Sequence, residues 1–123
     1  MDLDSIVEYE DGKYLLTAPL AFPNGPPVPS GFRYDGFSSP KWAAILGFGN
    51  TNPYMLYCAA QHDAIYEDWH GLYTNIKRHR ADRLLMLNLI ACGVDRVHAW
   101  LTYEAVHLDG GQYWRSDHGI NPD

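Results

Sequence analysis

Apolar and polar positions along this 123-residue chain fall into two regimes. From Lys13 to Phe22 the chain is rich in Leu, Tyr and Thr, and this segment reads as a strand. Pro23-Asn24-Gly25-Pro26-Pro27 interrupts it as a loop, and Val28 to Tyr34 reads as a second strand pairing with the first. Beyond Ser39 the pattern turns helical. Ser39-Pro40 resembles an N-cap followed by a first-turn proline, predicting a helix over about 40–46 that stops at Gly47. Asn52-Pro53 repeats that signature and opens a helix over about 53–69, ending near Gly71. Tyr54, Cys58, Ile65 and Trp69 share one stripe of it, and His62 falls on the same stripe. A helix over about 76–91 is apolar nearly all round and takes the central place, with Gly93 beyond its end. Asp95 is the N-cap of a last helix over about 96–108, stopped by Gly110-Gly111. The short connection between the second and third helices predicts that they pack antiparallel. The expected fold is α+β and mainly α, a single domain over 1–123 in which an N-terminal β-hairpin precedes three to four packed helices.

Composition narrows the function classes. Hydrophobic residues make up 46% and charged residues 20%, which fits a globular core. The net charge of −6 argues against nucleic-acid binding, which needs phosphates neutralised by Lys and Arg. No apolar run is long enough for a transmembrane helix. Met1-Asp-Leu-Asp has no basic region, so no signal peptide is expected and the protein is expected in the cytoplasm on synthesis. Cys58 and Cys92 lie on apolar helical segments and are expected as reduced core thiols.

The chemistry-bearing stretch is Cys58 to Tyr66, where His62 and Asp63 are adjacent. A neutral imidazole takes a proton from water near neutral pH if a carboxylate orients it. Helix neighbours point about 100° apart, so Asp63 cannot be that carboxylate. Asp82, near the start of the next helix, comes within reach if the helices pack antiparallel. Asp63 is then free for a cation or a substrate group. The competing reading makes His62 a satisfied core histidine and pairs Asp63 with an arginine. Asp35, Gly36 and Ser38 form a second constellation, able to line a pocket or offer oxygens to a hard cation, or simply to turn and cap the chain. Lys77-Arg78-His79-Arg80 and Arg83 place cations at a helix N-terminus, where the helix dipole disfavours them. Asp63, Glu67 and Asp68 are their expected partners on a solvated face, and the sharper alternative is binding of phosphate or lipid head-groups. Glu67-Asp68-Trp69-His70 matches part of a zinc-peptidase motif but lacks its upstream His and Asp. There is no phosphate loop, nucleophile elbow or Cys-x-x-Cys pair.

Three motifs in order carry a resemblance. Val28 to Pro40 resembles the Val-Pro-x-Gly-Phe-x-x-Asp-Gly-x-Ser-x-Pro signature of a small phage and prophage family, domain of unknown function number 1353. Ala59 to Tyr66 matches its Ala-x-x-His-Asp-x-x-Tyr motif, and Arg80-Ala81-Asp82-Arg83 its third. The resemblance covers about residues 28–115 and implies a phage origin without an activity. The Ala-x-x-His-Asp-x-x-Tyr helix is also similar to the catalytic helix of phospholipases A2. That likeness implies His62 as general base, Asp82 as its orienter, Tyr66 as a hydrogen-bonding support and Asp63 as a ligand of calcium. The glycine-rich calcium loop and the disulfides of those enzymes are missing. The expectation is a phage-encoded hydrolase acting on the host envelope. Its rival is a non-catalytic virion or tail-associated protein partnered by other virion proteins. The expected location is the host cytoplasm on synthesis, with the virion as a later destination. A small inhibitor of a host protein has no supporting motif.

Overall fold

The computed structural model describes residues 3–35, 53–109 and Trp114. A 3₁₀ turn, Leu3–Ser5, leads into strand β1, Ile6–Glu10, and then β2, Lys13–Leu16. Asp11-Gly12 joins them, with Gly12 at φ 74°, a left-handed position that glycine adopts without strain. Strand β3, Arg33–Tyr34, pairs antiparallel with β2 through Tyr14↔Tyr34 and Leu15↔Arg33. The sheet order is β1-β2-β3.

Two differences from the expected hairpin have physical causes. The strand expected over Lys13 to Phe22 ends at Leu16, yet the antiparallel approach of its two segments continues to the Leu20↔Val28 bridge. Prolines in both segments lack the N–H that a continuous ladder needs. The edge strand β1 is the second difference. Its pattern of exposed residues gives no inward face that alternation could reveal.

Helix α1 spans Pro53–Glu67, α2 Arg78–Ala91 and α3 Arg96–Asp109. The helix expected over 40–46 lies outside the described residues. Helix α1 stops two residues before the expected end because Asp68 turns left-handed at φ 49°. Its carboxylate then accepts the Tyr73 N–H at 2.7 Å and the Thr74 hydroxyl at 2.6 Å, closing the Trp69–Gly71 turn. After α2, Val94 N–H donates to Leu89 O at 3.0 Å and Gly93 sits at φ 99°, a glycine-terminated helix end. Asp95 Oδ1 accepts the His98 N–H at 3.0 Å and caps α3.

Helix α2 is the hub, packed against α1 on one side and α3 on the other. Leu16, Leu20, Val28 and Phe32 from the strand region meet Met55, Ile65, Leu85 and Leu89 from the helices in one core. Each such side chain stabilises the fold by about 1.5–3 kcal/mol through burial. A polar knot stands among them. Gln61 Nε2 donates to Asn24 O and Pro26 O, both at 2.9 Å, and Asn88 Nδ2 donates to Gln61 Oε1 at 2.9 Å. The knot ties the loop before β3 to the α1–α2 seam. It also explains Gly25, where a Cβ would stand 2.8 Å from Gln61 Nε2.

Candidate functional site

About a turn and a half along α2 from Asn88, the antiparallel seam brings His62 and Asp82 together. His62 Nε2 lies 2.7 Å from Asp82 Oδ1, and the Tyr66 hydroxyl donates to the same oxygen at 2.5 Å. The spacing explains the pairing. His62 and Tyr66 are four residues apart on α1, so both side chains project from one face onto α2. Their rings pack at a centroid distance of 4.3 Å, and Trp114 meets the Tyr66 ring edge-on.

The other carboxylate oxygen has partners that the sequence did not suggest. His107 Nδ1, on α3, stands 3.3 Å from Asp82 Oδ2. Arg78 Nη1 lies 3.8 Å from it and donates to His107 O at 2.8 Å. Arg78 is buried, and its described contacts are not the Asp63, Glu67 and Asp68 partners expected from the sequence. The i,i+4 spacing of Arg78 and Asp82 could have revealed the ion pair. Nothing local in the sequence points to His107.

Asp82 is 0% exposed and His62 6% exposed. Burial alone would raise the Asp82 pKa, but the donors around it hold it below the ordinary carboxylate range, so it is ionised. Burial alone would lower the His62 pKa. The flanking carboxylates of Asp63 and Asp82 outweigh it and raise the imidazolium to about 9. Burial pushes Tyr66 above the ordinary phenol range, aided by the Asp82 charge, so its hydroxyl remains a donor.

Asp63 stands at the other ring nitrogen, on the side of His62 away from Asp82. Its Oδ1 is 3.8 Å from His62 Nδ1, beyond hydrogen-bond reach, and its side chain is partly exposed. Burial raises its pKa, opposed by His62 and reinforced by the charge of Asp35. Asp35 is exposed and directly follows β3, which the Tyr34 hydroxyl ties to α1 through Leu56 O at 2.8 Å. Gly36 and Ser38 lie outside the described residues. Among the described residues, no group of three His, Cys, Asp or Glu side chains could hold a metal ion. Asp63 and Asp35 alone do not make a calcium centre. Glu67-Asp68-Trp69-His70 makes none either, since Asp68 is occupied by the turn after α1. Cys58 is buried, its thiol pKa pushed up by burial, and neither Cys58 nor Cys92 is in a disulfide.

The arrangement can therefore orient an imidazole by one nitrogen and leave the other without a hydrogen bond. Residues 18–106 match the family described as Protein of unknown function (DUF1353). No curated protein and no solved structure matches the chain.

Proposed function

Because the chain belongs to the family described as Protein of unknown function (DUF1353), we propose its activity from the site alone: hydrolysis of an ester with His62 as general base. The observation that carries this is the asymmetry of the imidazole. Nε2 is held by Asp82 at 2.7 Å, while the nearest carboxylate oxygen to Nδ1 is 3.8 Å away. A water at Nδ1 would lose a proton to the ring as it attacks the ester carbonyl, and that proton would pass to the leaving alcohol. Asp82 fixes the tautomer and stabilises the imidazolium without taking the proton. Tyr66 keeps Asp82 Oδ1 in place, and Asp63 holds a substrate group or a cation beside Nδ1.

The likeness of the Ala59 to Tyr66 helix to that of phospholipases A2 supports a lipid ester as the substrate class. A phage origin and the host envelope as target belong to the same proposal. The test is acyl release from phospholipid vesicles by the purified protein and its His62→Ala variant, with and without added calcium. Loss of activity in the variant supports the reading, and activity equal to that of the wild type overturns it.

A second reading draws on the depth of Asp82, fully buried and surrounded by side chains from three helices. Here the network only fixes the helix packing of a non-catalytic virion or tail-associated protein. This reading expects no hydrolysis of any ester by the wild type, together with incorporation of the chain into particles.

A further inference from the structure

Helix α3 turns Ala99, Thr102 and Val106 inward. Val97, Trp100 and Leu108 fall on the opposite side and are 65%, 52% and 83% exposed. They make an apolar stripe along an outward face, flanked by half-buried Leu101 and interrupted by Glu104. A large apolar residue as exposed as Leu108 has no role in the core.

The second observation is charge. Of the nine Lys and Arg residues in a chain of net charge −6, Lys77, Arg78, Arg80 and Arg83 cluster at the start of α2. Arg78 is turned inward toward Asp82, whereas Lys77, Arg80 and Arg83 are exposed. No carboxylate among the described residues pairs with these three. The hydrogen bond from Arg78 to His107 O sets the start of α2 beside the end of α3. Leu108 therefore emerges at the end of the bundle that carries Lys77. Of the described acids close in sequence to the stripe, Asp95 is occupied by His98, while Glu104 stands half-buried on the stripe itself and sets a carboxylate against the cations at the start of α2.

We propose that the outward face of α3 and the exposed cations at the start of α2 form a docking surface for an anionic lipid bilayer. Trp100 suits the headgroup level, with an apolar ring and one polar N–H, while Leu108 and Val97 enter the acyl boundary. Lipid phosphates would neutralise the exposed Lys77, Arg80 and Arg83 at the end of the bundle where Leu108 emerges. No helix among the described residues is long and apolar enough to cross a membrane, so α3 would lie in the plane of the surface. The inference does not rest on His62 acting as a base.

The test is co-sedimentation of the full chain with phosphatidylcholine vesicles carrying about one third phosphatidylglycerol, and with phosphatidylcholine alone. Binding to the anionic vesicles, weakened by salt, is expected. Trp100→Ala with Leu108→Ser, and separately Lys77→Glu with Arg83→Glu, should each weaken it about tenfold or more. All these side chains are exposed, and circular dichroism would verify that the variants fold. His62→Ala should bind as the wild type does, so loss of hydrolysis and loss of docking are separable. The proposal is overturned by no binding to anionic vesicles, by equal binding to neutral ones, or by variants that bind like the wild type. An acidic protein that occupies the surface while vesicles do not would overturn it too.

Discussion

His107 Nδ1 stands 3.3 Å from Asp82 Oδ2, so one buried carboxylate has an imidazole at each of its oxygens. The two histidines are not equivalent. His62 is nearly sealed, while His107 remains partly accessible at the edge of α3. Replacing His107 with Ala removes one donor and leaves Arg78 to face Oδ2. A stability loss of about 1 kcal/mol is expected from urea denaturation.

Asp82→Ala should be far more damaging. It would remove the buried carboxylate that faces both a protonated His62 and Arg78. Removing one member of a buried charged network costs about 3–5 kcal/mol. Asp82→Asn keeps the shape and should cost less stability, yet it should lower the pKa of His62. Nuclear magnetic resonance titration of the imidazole would read that drop directly.

Stability and the proposed activity should respond to pH in opposite directions. The folded pKa of His62 is raised to about 9, above the ordinary histidine value. Its stabilising contribution is therefore complete below about pH 6.5 and is lost as pH rises through about 9. The loss should be on the order of 3 kcal/mol, read from denaturation midpoints across that window. A general base must be neutral, so hydrolysis should climb through the same window and level off above it. A rate that falls from pH 7 to pH 9 in a protein that stays folded would exclude His62 as the base.

Gly25→Ala is expected to destabilise despite its small size. Gly25 has φ +83°, and an added methyl would meet Gln61 Nε2 at 2.8 Å and Leu84 Cδ1 at 2.9 Å. The strain and the displaced amide together should cost about 1–3 kcal/mol, measured by thermal or urea unfolding. Gly12→Ala meets no atom within 4 Å and should cost only the strain of its left-handed turn.

Much of the helical half was legible because its signals are local. Pro53, Asp95 and Gly93 stand where the structure starts, caps or ends a helix. The His62–Asp82 contact was legible too, since it needs only a helix spacing and an antiparallel neighbour. The partners at Asp82 Oδ2 were not. His107 is far along the chain, and its proximity depends on how α3 crosses α2, which periodicity does not specify. Arg78 was misplaced for a related reason. A cation in a run of cations reads as a solvated face, and only the packing of α3 turns it inward. On the sheet side, β1 was hidden because Val7, Glu8, Tyr9 and Glu10 are all exposed. With no buried face, alternation leaves no trace.

The knot at Gln61 and Asn88 and the contact at His62 and Asp82 pin the same pair of helices at two heights. A helix pair held only by apolar side chains can slide to close a void. Here a slip would break directional bonds at both points, so α1 and α2 have no easy way to repack after a core truncation. Leu85, buried between those heights, should show this: Leu85→Ala would leave an unfilled cavity and fall toward the upper part of the 2–5 kcal/mol range seen for such changes, about 4 kcal/mol. The same double pinning makes the seam intolerant of drift in side-chain volume.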